Sequence, residues 1–216
     1  MAILQIMYEI DLEKATNYIA EIYQDKDKPS AKEYVEKAGL QGPIIEDEIA
    51  RLFRLLLKIT RPKKILEIGM NIGFSTTSMA LAVKEFGGTV TTLEMDPKVA
   101  EVARKNFERE GVADNIEIVI GDAYEILPGI ASESYDVVFQ DSTKRGYPLM
   151  LNDCLRILKK GGLLLVDDTL WPVTRSEEEW NESFAGIDKF NRMLVESKVE
   201  STILPLGEGC TIAVKA

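Results

Sequence analysis

From Lys63 onward the chain alternates short, continuous apolar runs with amphipathic stretches, and this rhythm constrains the fold more than any other feature. KILEI (64–68), TVTTLE (89–94), NIEIVI (115–120), YDVVFQ (135–140) and LLLVDD (163–168) read as strands. Between them lie helical stretches. SMALAVKEF belongs to one, and PKVAEVARKNFERE to another, with Asp96 as its N-cap and Pro97 at its first helical position. A short helix follows Asp122, and a longer one runs to Leu158. Strands without a polar face are buried on both sides, which is the condition of a parallel sheet covered by helices on both faces. Gly161-Gly162 breaks into the fifth strand, and a helix near 184–197 leads to STILPL and CTIAVKA. The short GEG connection makes those last two strands an antiparallel pair.

The first 60 or so residues read as helical throughout. Pro29 and Ser30 restart a helix after the charged run DKDK, Gly39 with Gly42-Pro43 closes it, and IIEDEIARLFRLLLKI forms the next, from about 44 to 59. A length of 216 residues suits one domain, with a helical region (1–60) ahead of an α/β core (63–216). No repeat, low-complexity tract or linker interrupts it.

Composition narrows the chemistry. There is no histidine, which excludes Ser-His-Asp and Cys-His hydrolases, His-ligated zinc enzymes and histidine general bases. Acid–base work falls to Asp, Glu, Lys, Tyr or a metal-bound group. Cys154 and Cys210 form no CxxC, as suits a reducing cytosol, and a cytoplasmic location is expected. The N-terminal MAILQIMYEIDLEK lacks a basic region before its apolar residues and reads as a helix rather than a signal peptide. No apolar run approaches the roughly 20 residues of a membrane span. A net charge of −10 makes the chain a poor general ligand for nucleic acid.

In an open parallel sheet, ligands bind outside the carboxyl ends of the strands. Every one of the five strands carries an acid there: Glu67, Glu94, Asp122, Asp141, then Asp167 and Asp168. Some of these are also candidate helix N-caps. The first turn, EIGMNIGFS, has Gly69 and Gly73 where the backbone must bend and approach a ligand. The spacing is GxxxG, not the GxGxxG of dinucleotide enzymes, and Glu94 on the next strand suits a ribose diol. Asp141, Asp167 and Asp168 come from neighbouring strand ends and compose an all-oxygen set for Mg2+, or for Mn2+ or Ca2+. Lys144 shares a helical face with Asp141. The plainer reading is a solvated acidic edge with an ion pair to Lys144.

KKILEIGMNIGFSTTSMA, TVTTLEMDPKVAEVARKN, GDAYEILP, YDVVFQDSTKRGY, LKKGGLLLVDDTLW and LPLGEGCTIAVK together span about 63 to 215. In these segments the chain resembles the cation-dependent O-methyltransferases, the family of catechol and caffeoyl-CoA O-methyltransferases. The resemblance implies a Rossmann-like three-layer sandwich, with a mostly parallel seven-stranded sheet, an antiparallel terminal hairpin strand and extra N-terminal helices. It implies that Glu67, Gly69 and the Gly73–Ser75 turn hold the methionine part of S-adenosylmethionine, that Glu94 binds the ribose, and that Asp122 and Ala123 sit by the adenine. Asp141, facing the cofactor, would also ligate the cation with Asp167 and Asp168, and Lys144 would be the general base. The family usually has Asn where this chain has Asp168. The segment 174–186 looks longer than typical, a candidate lid, with Trp171, Trp180 and Phe184 as candidate substrate contacts or plain packing.

The expected function is methylation of a hydroxyl on a small catechol-like or other hydroxylated acceptor. The alternative is methylation of a hydroxylated wobble uridine in tRNA. Arg51, Arg54, Lys58 and Arg61 fall on one helical stripe that could meet phosphates, though a solvated helix face is the favoured account. An NAD-dependent oxidoreductase is disfavoured by the missing GxGxxG and the absence of a Tyr-x-x-x-Lys pair. A non-catalytic scaffold is disfavoured by Lys144 beside three acids. Relatives in the family imply a homodimer, here through the N-terminal helices.

Overall fold

The computed structural model describes residues 11–23, 26–27, 29–39, 42–174 and 181–216. The chain divides after Ser30 into two compact units. In the first, α1 (Leu12–Tyr23) is a single amphipathic helix, with Asp11 Oδ1 accepting the amide of Lys14 at 3.1 Å.

The second unit holds α2 (Ala31–Ala38) and α3 (Asp47–Thr60), then β1 (Lys64–Ile68), α4 (Phe74–Val83) and β2 (Thr89–Glu94). Next come α5 (Pro97–Arg109), β3 (Ile116–Ile120), α6 (Ala123–Ile126) and β4 (Tyr135–Gln140). The chain closes with α7 (Tyr147–Ile157), β5 (Leu158–Val166), α8 (Trp171–Thr174), α9 (Glu182–Glu196), β6 (Val199–Leu204) and β7 (Cys210–Lys215). The seven strands form one sheet in the order β3-β2-β1-β4-β5-β7-β6. The first five are parallel, and β7 runs antiparallel between β5 and β6.

Strand alternation sorts the core into two layers. Ile65, Val137, Phe139, Leu163 and Leu165 face α2 to α5, whereas Leu66, Ile68, Val138, Leu164 and Val166 face α7 and α9. This is the expected three-layer sandwich. Because β2 and β4 flank β1 on opposite sides, the order reverses at β1, and a crevice opens above the carboxyl ends of β1 and β4.

Several boundaries differ from expectation, two of them with consequences for the fold. The third N-terminal helix starts at Asp47, not near 44, and Glu46 is its extended N-cap at φ −71 and ψ 156. Ile44 and Ile45 precede the helix as irregular chain, with Ile45 buried in the core. β5 begins at Leu158 rather than 163, because Gly161-Gly162 sits inside the strand, at the register shift opposite Tyr135 and Val137. A Cβ on Gly162 would meet the carbonyls of Lys159 and Asp136 at 2.8 and 2.9 Å, so only glycine fits the irregularity. Among the described residues no helix is long and apolar enough to cross a membrane.

Candidate active site

A cavity of about 770 Å³ opens at the topological switch point. Gly69, Ser75, Glu94, Asp122, Ala123, Asp141, Lys144, Asp167 and Asp168 all line it. Gly69 must be glycine, since at φ +97 a Cβ would lie 2.0 Å from the carbonyl oxygen of Asp141. The ends of β1 and β4 therefore close tightly, and the amide of Asp141 donates to the carbonyl of Ile68 at 2.9 Å.

Glu94 is held at the cavity wall by two backbone amides. Its Oε2 accepts from Asn71 at 3.0 Å and its Oε1 from Asp96 at 2.9 Å. Asn71 lies in the left-handed region at φ 50 and ties the turn to the carbonyl of Pro43 through its Nδ2 at 2.6 Å. Asp122 caps α6, accepting the amide of Tyr124 at 2.9 Å, so the N-cap reading holds for it alongside its place on the wall.

Glu67 and Gly73 stand behind the wall rather than on it. The Glu67 carboxylate is fully buried, accepting from Ser75 Oγ at 2.5 Å, from Thr92 Oγ1 at 2.6 Å and from Thr76 Oγ1. Burial pushes its pKa up to about 7 in spite of the three hydroxyls. Glu67 thus organises the turn beneath the cavity. Gly73, at φ +87, has no Cβ because one would strike Phe107 at 2.3 Å.

The acidic group gathers as the sequence suggests. Asp141, Asp167 and Asp168 present oxygens within 4.8 Å of one another. Lys144, 8% exposed, reaches between them, with its Nζ 2.6 Å from Asp141 Oδ1 and 2.6 Å from Asp168 Oδ2. The same ammonium donates to Tyr147 Oη at 2.8 Å and lies 5.7 Å from the ring centre of Trp171. Asp167 Oδ1 is buried without a hydrogen-bond partner among the described residues. Burial raises the pKa of Asp141 and Asp167, and neighbouring carboxylates add to it. Burial opposes charge on Lys144, but Tyr147, Asp141 and Asp168 outweigh it and hold its pKa above the ordinary lysine value. Asp168 has φ +62, a conformation that Asp and Asn tolerate better than other side chains. Backbone shape at this position thus favours Gly, Asn and Asp over other residues.

Tyr147, Asn71 and Glu46 went unnoticed in the sequence as site residues. Tyr147 is a lone aromatic in GYPLM, with nothing in its spacing to mark it. Trp171 stands on the cavity wall, its ring 5.6 Å from that of Phe184. Trp180 and the middle of the candidate lid, 175–180, lie outside the described residues. The basic stripe of α3 is partly engaged within the fold: Arg54 donates to Ser78 Oγ at 3.0 Å, and the Arg61 guanidinium lies 4.8 Å over Phe86.

A family model described as O-methyltransferase matches residues 18–216. The chain belongs to this O-methyltransferase family. By class it is an S-adenosylmethionine-dependent O-methyltransferase. A catechol O-methyltransferase of Niastella koreensis is 31% identical over 201 residues, 90% of each chain. One from Mycobacterium tuberculosis is 39% identical over 135 residues, 62% of this methyltransferase and 61% of that one. Among solved structures, an O-methyltransferase from Bacillus cereus in complex with SAH (S-adenosylhomocysteine) has a TM-score of 0.81 at 25% identity, covering 93% of this chain and 96% of that one.

Proposed function

We propose that this methyltransferase acts on a hydroxyl of a small catechol-like acceptor and depends on a divalent cation. The observation that carries the reading is the convergence of Asp141, Asp167 and Asp168 around one point, where the Lys144 ammonium now bridges two of them. The donor set fits a hard cation: it offers carboxylate oxygens, one buried oxygen lacks a partner among the described residues, and a positive group already stands among them. The catechol O-methyltransferases named among its relatives supply the acceptor class.

When bound, S-adenosylmethionine supplies the methyl group, and a divalent cation orients the acceptor oxygens and lowers the pKa of the reacting hydroxyl. Gly69, Ser75 and Glu94, all on the cavity wall, would hold the cofactor, with Asp122 and Ala123 beside its adenine. Asp141, Asp167 and Asp168 would hold the cation. Lys144, beside Tyr147 and these acids, would then lose two of the acidic partners that keep its proton on, and its amine would be placed to take the acceptor's proton. Placement of the acceptor in line with the transferring methyl does much of the remaining work.

Methylation of a wobble uridine in tRNA draws less support, because Arg54 and Arg61 are occupied by Ser78 and Phe86 and the net charge is −10. Labelled methyl transfer to a panel of catechols and to bulk tRNA lacking the wobble modification separates the readings. Label is expected in the catechols; label in the tRNA alone would overturn the assignment.

A further inference from the structure

The turn that carries the cofactor wall is gripped from behind by two helices. Tyr34 of α2 is fully buried, and its Oη donates to the carbonyl of Gly73 at 2.9 Å. Asn106 of α5, also buried, donates through Nδ2 to the adjacent carbonyl of Ile72 at 2.9 Å. Arg109 joins the two: its Nη1 lies 2.6 Å from Asn106 Oδ1 and its guanidinium 5.4 Å over the Tyr34 ring. Phe74 and Ser75, directly after Gly73, stand on the cavity wall.

This grip answers a local weakness. Gly73 is the N-cap of α4 and offers no side chain to cap it. A left-handed glycine at a helix start is loosely fixed by its own covalent geometry. Two buried side chains on consecutive carbonyls remove that freedom from outside, before any ligand arrives. A wall fixed in advance binds more tightly because less order is lost on binding. The N-terminal helix α2, which the sheet does not need, thereby enters the business of the site.

We propose that Tyr34 is a positioning residue for the cofactor turn, with Asn106 and Arg109 completing the clamp. The inference rests on the reading that this cavity takes S-adenosylmethionine.

SAH binding by titration calorimetry, run well below the melting temperature, tests it. Tyr34→Phe keeps the ring against Phe74 (centroids 5.4 Å apart) and beneath Arg109 while removing the bond to Gly73. It is expected to raise the Kd for SAH roughly three- to tenfold. The KM for S-adenosylmethionine should rise with it, with kcat at saturation little changed. Thr77→Val is the control, since Thr77 Oγ1 bonds the same Tyr34 hydroxyl at 2.8 Å but leaves the Gly73 contact in place. It should lower the melting temperature with SAH affinity unaltered. Arg109→Ala reaches the clamp from the surface, without disturbing the core, and should weaken SAH by roughly two- to threefold. Wild-type SAH affinity in both Tyr34→Phe and Arg109→Ala would overturn the proposal, as would equal weakening in Thr77→Val. If Tyr34→Phe does not fold, Arg109→Ala decides alone. Failure of the wild-type protein to bind SAH would instead overturn the cofactor reading beneath it.

Discussion

Lys144 Nζ lies 2.6 Å from Oδ2 of Asp168, a residue held at φ +62. The ion pair and the backbone conformation make different demands on position 168. Asp168→Asn satisfies the backbone, because Asn also tolerates the left-handed region, but removes one charge from the acidic group. The variant is expected to fold as wild type does and to need roughly tenfold more Mg2+ for half-maximal methyl transfer, with full activity once loaded. Asp168→Ala meets neither demand and should lose about 1 kcal/mol of stability or more to backbone strain. Magnesium titrations of activity, with melting curves of both variants, read the difference.

Lys144→Ala tests the base. Methyl transfer should slow by roughly 10²–10⁴-fold. Cation affinity should not fall, because the ammonium that bridges Asp141 and Asp168 no longer competes for their oxygens. Calorimetric Mn2+ binding beside single-turnover rates measures both. A variant that loses its cation along with its activity would make Lys144 a scaffold of the acidic site.

Glu67 gives a pH signature. Its folded pKa, about 7, exceeds the ordinary glutamate value of 4.5. The folded state therefore keeps a proton that the unfolded chain releases, so this group's contribution to stability falls as pH rises from about 4.5 to about 7. The full change is about 3 kcal/mol. Glu67→Gln should abolish that component, and the difference between the two unfolding free energies, followed by urea titration across this range, isolates it. A difference independent of pH would mean that the carboxylate is ionised throughout.

The ribose assignment rests on Glu94. Glu94→Ala removes a charged acceptor and frees the amides of Asn71 and Asp96 that it now holds. SAH affinity should fall roughly 10- to 100-fold, as for loss of a hydrogen bond to a charged group. Equilibrium dialysis with labelled SAH measures it, and wild-type affinity in the variant would remove Glu94 from the site.

Much of this was legible because strand burial and strand-end chemistry both leave marks in sequence. Continuous apolar runs located the five parallel strands, and the acids after them located Glu94, Asp141, Asp167 and Asp168 at one edge. The same rule placed Glu67 with them, and its carboxylate lies behind the cavity wall rather than on it. Nothing in KILEIG says that the hydroxyls of Ser75, Thr76 and Thr92 will enclose that carboxylate. The glycine pair at 161–162 looked like a break because the close approach of Gly162 to the carbonyl of Asp136, on the neighbouring strand, is made only in the sheet. Ile44 and Ile45 fit a helical pattern, but they lie outside the helix and line the cavity. Tyr34 and Asn106 act on carbonyls 39 and 34 residues away, and no local pattern records such a pairing.

The most direct measurement is labelled methyl transfer from S-adenosylmethionine to a catechol by EDTA-stripped protein, before and after Mg2+ is restored. Wild type should be inactive when stripped and recover on addition of Mg2+, and Asp141→Ala should remain inactive at any Mg2+ concentration while keeping its fold. Methyl transfer that is indifferent to EDTA would contradict the account and return Asp141, Asp167 and Asp168 to the role of an acidic strand edge paired with Lys144.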